Sequence, residues 1–424
     1  MIPLRILTLA LLLAQTWARP TATSPSMLPL TAASSSTDFA AVQLNQLSRF
    51  ALNLALDIVI NNTTSKESGG CTMEKLQVRR DWRAFSRAQK RAYIESVLCL
   101  IHLPPITPAK DAGGAKNRYD DFVALHIVKS DFVHRTGAFL AWHRYFVHGF
   151  EQALRNECGY TGDFPWVSPS FQKIALTDPH VRYWNWGADT EDMTKSEVFD
   201  GSDTSLSGNG ASIPNQPDIS INMAGYPRLN FTAGTGGGCV MSGPFQNYTV
   251  DMGPSSLSMP GGNVSSMSNP LDYNPRCLKR SLTTSILRSY ANYTAIVQLI
   301  LNHHDIWDFE TVMQGVPGSG LGVHGGGHYA MGGDPGRDMD VSPADPAFWH
   351  HHGMIDRVWW IWQHVDLEDR QQAISGTGTF MNHPPSPNTT LDTMVDLGLA
   401  DRGAPIAMRE LMSTTAGPFC YVYL

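Results

Sequence analysis

Beyond its first eighteen residues the chain has no run of 18 consecutive apolar residues, so nothing in its interior is expected to cross a bilayer. It also lacks a basic surplus: 31 Lys and Arg stand against 38 Asp and Glu, a formal net charge of −7 that argues against nucleic acid as a partner. Cysteine is sparse. The six present, Cys71, Cys99, Cys158, Cys239, Cys277 and Cys420, are an even number, which in an exported chain reads as three disulfides with the connectivity open. Residues 1–18 supply the export reading, because Arg5 precedes an apolar stretch and small residues follow near Ala18, the pattern of a signal peptide. Cleavage there would remove Arg5 and leave 38 acids against 30 bases, a net charge of −8. Seven Asn-x-Ser/Thr sequons, at Asn61, Asn62, Asn230, Asn247, Asn263, Asn292 and Asn388, suit the same secreted, extracellular setting.

Residues 20–37 are uncharged and without periodicity, so 19–37 is expected to be disordered or a pro-segment, and 38–424 a single domain. Apolar residues at helical spacing predict helices over 39–60, 86–102 and 119–133 and, after a break at Arg135-Thr136-Gly137, from Phe139 through Leu154. Another periodic stretch, 282–313, has Ile286, Tyr290, Tyr293, Val297 and Leu301 as its stripe. Residues 201–275 are rich in Gly, Ser, Asn and Pro. A loop of that length calls for a function or a covalent tie, which favours Cys239 with Cys277; the remaining expected pairs are Cys71 with Cys420 and Cys99 with Cys158.

The histidines are grouped. His324 and His328 are four residues apart, on one face if helical, and His352 follows after a Pro-bounded loop. Upstream, His126, His134 and His143 spread over the two helical runs broken near Gly137. Two groups of three imidazoles point to two metals, each with a coordination position left open as in catalytic sites. An all-nitrogen set disfavours magnesium, calcium and manganese, and neutral ligands let copper change oxidation state. The lack of a bridging carboxylate in these motifs counts against a two-zinc hydrolase. His102, His148, His180, His303, His304, His364 and His383 lack partners at metal spacing and read as structural.

The frame around these histidines is itself specific. His134-x4-Phe139-Leu140-x-Trp142-His143-Arg144-x2-Val147-x3-Glu151 resembles the first copper signature of the tyrosinase family, and Asp345-Pro346-Ala347-Phe348-Trp349-x2-His352-x3-Asp356 resembles the second. The resemblance spans roughly residues 81–423. Among type-3 (binuclear) copper proteins, which include tyrosinases, catechol oxidases and haemocyanins, the chain is most similar to a short secreted fungal catechol oxidase. The resemblance implies a mainly α fold, a four-helix bundle around a binuclear copper site, with long loops and little β structure. It implies His126, His134 and His143 as ligands of one copper, and His324, His328 and His352 as ligands of the other. Within the run His350-His351-His352 only His352 stands at the family spacing from Asp356, so His350 and His351 are expected to pack or to support it. Asp356, Arg144 and Asp345 are candidates for orienting the imidazoles, and each could equally form a plain ion pair. Asn185 stands where similar proteins usually carry an acid. No thioether to His134 is expected, since Phe132 and not a cysteine lies two residues before it. No shielding domain is expected beyond the Tyr421-x-Tyr423 element.

The resemblance also implies an activity: with two copper ions and dioxygen, such proteins take two electrons and two protons from an o-diphenol and release the o-quinone and water. Hydroxylating a monophenol requires in addition that the substrate be deprotonated, and in similar tyrosinases an Asn after the first histidine of the second copper helps hold a basic water. Here that position is Gly325, and the one after His328 is Tyr329. Both favour o-diphenols, with o-aminophenols, over tyrosine. Val341, at a pocket-rim position, is small enough to leave the second copper open. The expectation is a secreted oxidase of small phenolic substrates with no nucleic-acid or membrane partner. A tyrosinase is the alternative, and a haemocyanin-like oxygen carrier a weaker one, since no bulky residue at Val341 would cover the metals.

Overall fold

The computed structural model describes residues 36–64, 70–162, 182–222, 226–401 and 403–424. The expected signal peptide, nearly all of the expected pro-segment and His180 lie outside them. Of the described residues 44% are helical and 11% are in strands, so helices set the core as expected. The principal helices are α1 (Ser36–Thr64), α2 (Arg87–His102), α3 (Arg118–Val133), α4 (Phe139–Cys158), α5 (Thr284–Tyr290), α6 (Tyr293–Asn302), α7 (Ile306–Met313), α8 (Gly322–Met331) and α9 (Phe348–Val365).

Local chemistry explains their ends. Ser86 and Gln89 form a reciprocal capping box before α2, Asn117 accepts the Asp120 N–H at the start of α3, and Gly159 in the left-handed region closes α4. The periodic stretch 282–313 is three helices rather than one. Asn292 and Asp305 accept N–H bonds from Ala295 and Asp308, and each restarts a helix where apolar spacing alone would have continued it.

Helix α9 is buried along nearly its whole length, from Phe348 to His364, as a helix apolar on every side must be. It packs against α1, α4, α6 and α8, and α4 packs in turn on α3. The four histidine-bearing helices α3, α4, α8 and α9 therefore sit inside a larger helical packing. An aromatic wedge locks three of them: Phe150 of α4 stacks on Trp349 of α9 with centroids 3.7 Å apart, and Phe122 of α3 meets Phe150 at 5.3 Å and Trp349 at 5.7 Å.

The expected long loop is not structureless, since within 210–277 four two-stranded antiparallel ladders form. The three disulfides are Cys71–Cys420, Cys99–Cys158 and Cys239–Cys277, the expected set. A three-stranded parallel sheet in the order Tyr421–Tyr423, Gln77–Asp81, Arg182–Tyr183 closes the helical core, with Arg79 opposite Tyr423.

Arg79 is fully buried, and its guanidinium reaches Asp356 at 2.9 Å and Glu151 at 3.3 Å. Asp356 also accepts from Arg144 Nε at 2.6 Å and from the hydroxyls of Tyr421 and Tyr423, each at 2.6 Å. Burial opposes its charge, but Arg144 and Arg79 outweigh it and hold the carboxyl below its ordinary pKa. Removing one member of such a network leaves the others charged and dry. The Asp356→Ala variant should therefore lose about 3–5 kcal/mol of stability in urea unfolding, whereas Asp203→Ala, which breaks exposed pairs with Arg87 and Arg91, should scarcely change it. Equal effects of the two variants would show that the buried network is not a keystone.

Candidate metal centre

The middle and C-terminal end of α3 and the first turns of α4 build one half of the site. His126 lies one turn beyond Phe122, within reach of the aromatic wedge. His134 occupies the C-cap of α3 in extended backbone, its N–H on the Ser130 carbonyl. Arg135 next to it has φ 54°, a left-handed conformation that turns the chain into α4 and brings His143 round. The ring centroids of His126, His134 and His143 are 5.0–5.6 Å apart. The other half comes from His324 and His328 on α8 and from His351 and His352 on α9. Within each group one ligand atom per residue lies within 4.8 Å of the others, and neither group includes a carboxylate. The halves adjoin, for His143 stacks on His352 at 4.5 Å.

Backbone carbonyls aim the imidazoles. The Nδ1–H of His126 donates to the Asp340 carbonyl at 2.7 Å, that of His134 to Ser130 at 3.0 Å, that of His143 to Phe139 at 2.8 Å and that of His328 to Gly336 at 3.2 Å. With Nδ1 carrying the proton, Nε2 is a bare lone pair. The Nε2 atoms of His126 and His143 then face each other at 3.4 Å, and Nε2 of His328 lies 3.3 Å from that of His352. Facing lone pairs such as those of His126 and His143 repel, and among the described residues His324 Nε2 is buried with no hydrogen-bond partner. Cations between these nitrogens resolve both problems, so the residues fit two soft or borderline metal ions.

Helix α8 is a poor helix by composition, with four glycines in ten residues. Contact explains them. A Cβ on Gly327 would lie 2.3 Å from the His351 ring, and one on Gly326 would lie 2.8 Å from Tyr290, so glycine is what lets α8 press against both α9 and α5. A cavity of ≈ 300 Å³ opens over His134, His324 and His328, walled by Gly325, Tyr329, Leu321, Met339 and Phe380 among others. The Tyr329 hydroxyl is tied to Ser258 Oγ at 2.6 Å.

Several expectations need correction. Val341 is fully buried against Gly253 and does not line the cavity; its N–H is held by Asp338, and Met339 stands at the wall instead. Asp356 and Arg144 touch each other and not an imidazole. Asp345 grips Arg280 with both oxygens, at 2.8 and 2.6 Å, and accepts from the Ala347 N–H, just ahead of α9, at 2.8 Å. The carbonyls that do orient the rings carry no signature in sequence, except that for His134 and His143 they lie four residues back in the same chain segment. His351 joins the second group spatially, stacked on His324 at 5.6 Å, while His350 packs on Trp82 and Tyr93. Outside the site, His303 binds Asp308, His304 accepts from Arg370, His364 donates to Trp360, and His148 packs on Phe419. Asn185 donates to Asp81 at 3.0 Å.

Burial above all, with neighbouring imidazoles added for most, keeps these histidines neutral: His134 falls to about 4 and His328 to about 3, while His126, His143, His324, His351 and His352 are also lowered. The folded pKa values lie below the unfolded value of about 6.5, so their contribution is complete above that pH and is lost as pH falls towards 4. Urea unfolding of the metal-free protein should accordingly weaken between pH 6.5 and 5 by about 1.4 kcal/mol per pH unit for each histidine that protonates only on unfolding. A flat profile over that range would mean that the rings are already protonated in the fold.

Comparison with known proteins agrees with this centre. Residues 116–365 match the family model described as the common central domain of tyrosinase. Tyrosinase P of Aspergillus terreus is 37% identical over 348 residues, 82% of this chain and 91% of that protein. N-acetyl-6-hydroxytryptophan oxidase ivoB of Emericella nidulans is 35% identical over 367 residues, 83% of this chain and 93% of that protein. Among solved structures, a variant of the polyphenol oxidase from Thermothelomyces thermophila superposes with a TM-score of 0.80 at 36% identity, covering 90% of this chain and 98% of that one. With both signatures, two buried imidazole groups and relatives matched along most of their length, the chain belongs to the tyrosinase family of binuclear copper oxidoreductases.

Proposed function

We propose that the protein is a secreted o-diphenol oxidase, converting catechols to o-quinones, and o-aminophenols to the corresponding o-quinone imines, while dioxygen is reduced to water. In this reading His126, His134 and His143 hold one copper ion, and His324, His328 and His352 hold the other. The bound coppers supply dioxygen binding and two-electron redox chemistry. The protein supplies neutral ligands and a cavity of mixed apolar and polar lining for the phenol.

The observation that carries the preference for diphenols is the wall beside the second group. Gly325 offers no side chain there, and among the described residues lining the cavity there is no carboxylate. Tyr329, the ionisable neighbour of His328, has its pKa pushed up to about 12, chiefly by burial, and its hydroxyl is engaged by Ser258, so it does not serve as a base near neutral pH. A monophenol would enter without a group to take its proton. An o-diphenol needs only to be oxidised.

His352 is preferred to His351 as the third ligand because its Nε2 faces that of His328 and its ring stacks on His143, between the two groups. His351 instead lies flat against Gly327 and 5.2 Å from Trp186. Metal analysis of single variants separates them: His352→Ala should retain one copper per chain and His351→Ala two, and the reverse result would move the ligand to His351. Oxygen uptake by copper-loaded protein should be at least about a hundred-fold greater in kcat/KM on catechol than on tyrosine, a gap of some 2.7 kcal/mol in barrier. Comparable values would make the protein a tyrosinase in the strict sense.

A further inference from the structure

Two guanidinium groups line the metal cavity, Arg135 and Arg337. Arg135 is occupied by the protein itself, since its terminal nitrogens donate to the carbonyls of Gly315 and Gln314. Arg337 is not. Among the described residues it makes no hydrogen bond or ion pair, and its Nε is buried without a partner. The acids close to it in sequence are all committed elsewhere. Asp334 is held by Arg276 at 2.7 and 2.9 Å. Asp338 accepts from the Ser255 and Ser256 N–H groups at 2.8 and 3.1 Å, and Asp340 from the hydroxyls of Ser130 and Ser255 at 2.5 and 2.6 Å.

A guanidinium stays charged, and a charge withdrawn from water is favourable only when something answers it. Burial indeed works against Arg337, lowering its pKa, and Tyr329 and Asp334 compensate only partly. Its backbone is also placed with respect to the metals: Arg337 directly follows Gly336, whose carbonyl fixes the His328 ring. The same cavity also has apolar lining, with Leu229, Pro227 and Phe380. That arrangement presents a planar fork of donors, set beside the second imidazole group, to whatever enters.

We propose that Arg337 is a specificity-determining residue that binds a carboxylate on the substrate, and that the preferred substrates are o-diphenols or o-aminophenols whose ring bears a short acidic side chain. The assignment rests on the oxidase reading above. A guanidinium pairs with a carboxylate through two parallel N–H···O bonds, and in a partly dry cavity such a pair is both stronger and more directional than in water. Anchoring the acidic end at Arg337 leaves the hydroxyls of the ring directed to the histidine end. The residue acts by positioning and takes part in no bond-breaking step.

The test uses the copper-loaded full chain with two catechols, 3,4-dihydroxyphenylacetate and the neutral 4-methylcatechol. In Arg337→Gln the ratio of kcat/KM for the acid over that for the neutral catechol should fall at least ten-fold, with the loss carried in KM, and Arg337→Lys should recover part of it. A ratio that stays within two-fold overturns the proposal even if both rates drop, because that is how a merely structural arginine would behave. Should the wild type oxidise neither catechol, the oxidase reading fails, and calorimetric binding of benzoate against benzamide decides the carboxylate site by itself. A selective ten-fold weakening of benzoate in Arg337→Gln then sustains it, and equal weakening of both ligands overturns it.

Discussion

The Asp356 carboxylate lies where α4, α9 and two strands of the parallel sheet meet, and each of its contacts constrains the metal centre indirectly. Arg144, its partner at 2.6 Å, is the residue after His143, and Asp356 itself stands one helical turn beyond His352. Pairing them fixes the register of α4 against α9. The His143 and His352 rings then stack at 4.5 Å, and the two imidazole groups become one centre. Arg79 and the hydroxyls of Tyr421 and Tyr423 complete the network, so strands from opposite ends of the domain also hold the site. The desolvation of so many charges is tolerable because both Asp356 oxygens are answered at close range by Arg144, Arg79 and the two tyrosine hydroxyls.

Within that frame the site is built from neutrality. Seven buried imidazoles would be unfavourable as cations, and burial keeps them unprotonated. For His126, His134, His143 and His328 a backbone carbonyl dictates the tautomer by taking the Nδ1–H and turning Nε2 inwards. The lone pairs of His126 and His143, face to face at 3.4 Å, are a strained arrangement until a metal ion lies between them. Part of the folding free energy is thus held in a geometry that metal binding relieves.

The cavity depends on a third feature, the close approach allowed by glycine. Gly326 and Gly327 let α8 pack without side chains against α5 and α9, and Gly325 leaves the wall beside His324 bare. Part of the remaining wall, including Leu229, Ser256 and Ser258, comes from the 201–283 region, which carries short ladders, is tied by Cys239–Cys277 and is anchored to the start of α9 through Arg280 and Asp345. Substrate recognition and metal binding therefore overlap in the chain, since Gly325, Tyr329 and Arg337 lie between histidines of the second group.

Much of this was legible in the residues. The two signatures marked out both histidine groups, apolar spacing located α1 to α4, and an even count of cysteines in a long chain was enough to suggest three bridges. These features are local, or are repeated strongly enough to be read one segment at a time. The misreadings have a common cause. The stretch 282–313 was split by Asn292 and Asp305, whose capping bonds compete with apolar periodicity. Val341 turned inwards because Asp338 holds its backbone. For Asp356, Arg144 and Asp345, left open in sequence between orienting an imidazole and forming a plain ion pair, packing chose guanidinium and carboxylate partners 65 to 277 residues away. Which carbonyl meets which ring, whether His351 stands beside His352 in the second group, and that Arg337 is left unanswered at the cavity wall all depend on segments distant in sequence coming within a few ångströms. Spacing along a chain carries the period of a helix and the order of its ligands, but hydrogen-bond partners across a core are selected by packing, which exists only once the whole domain has closed.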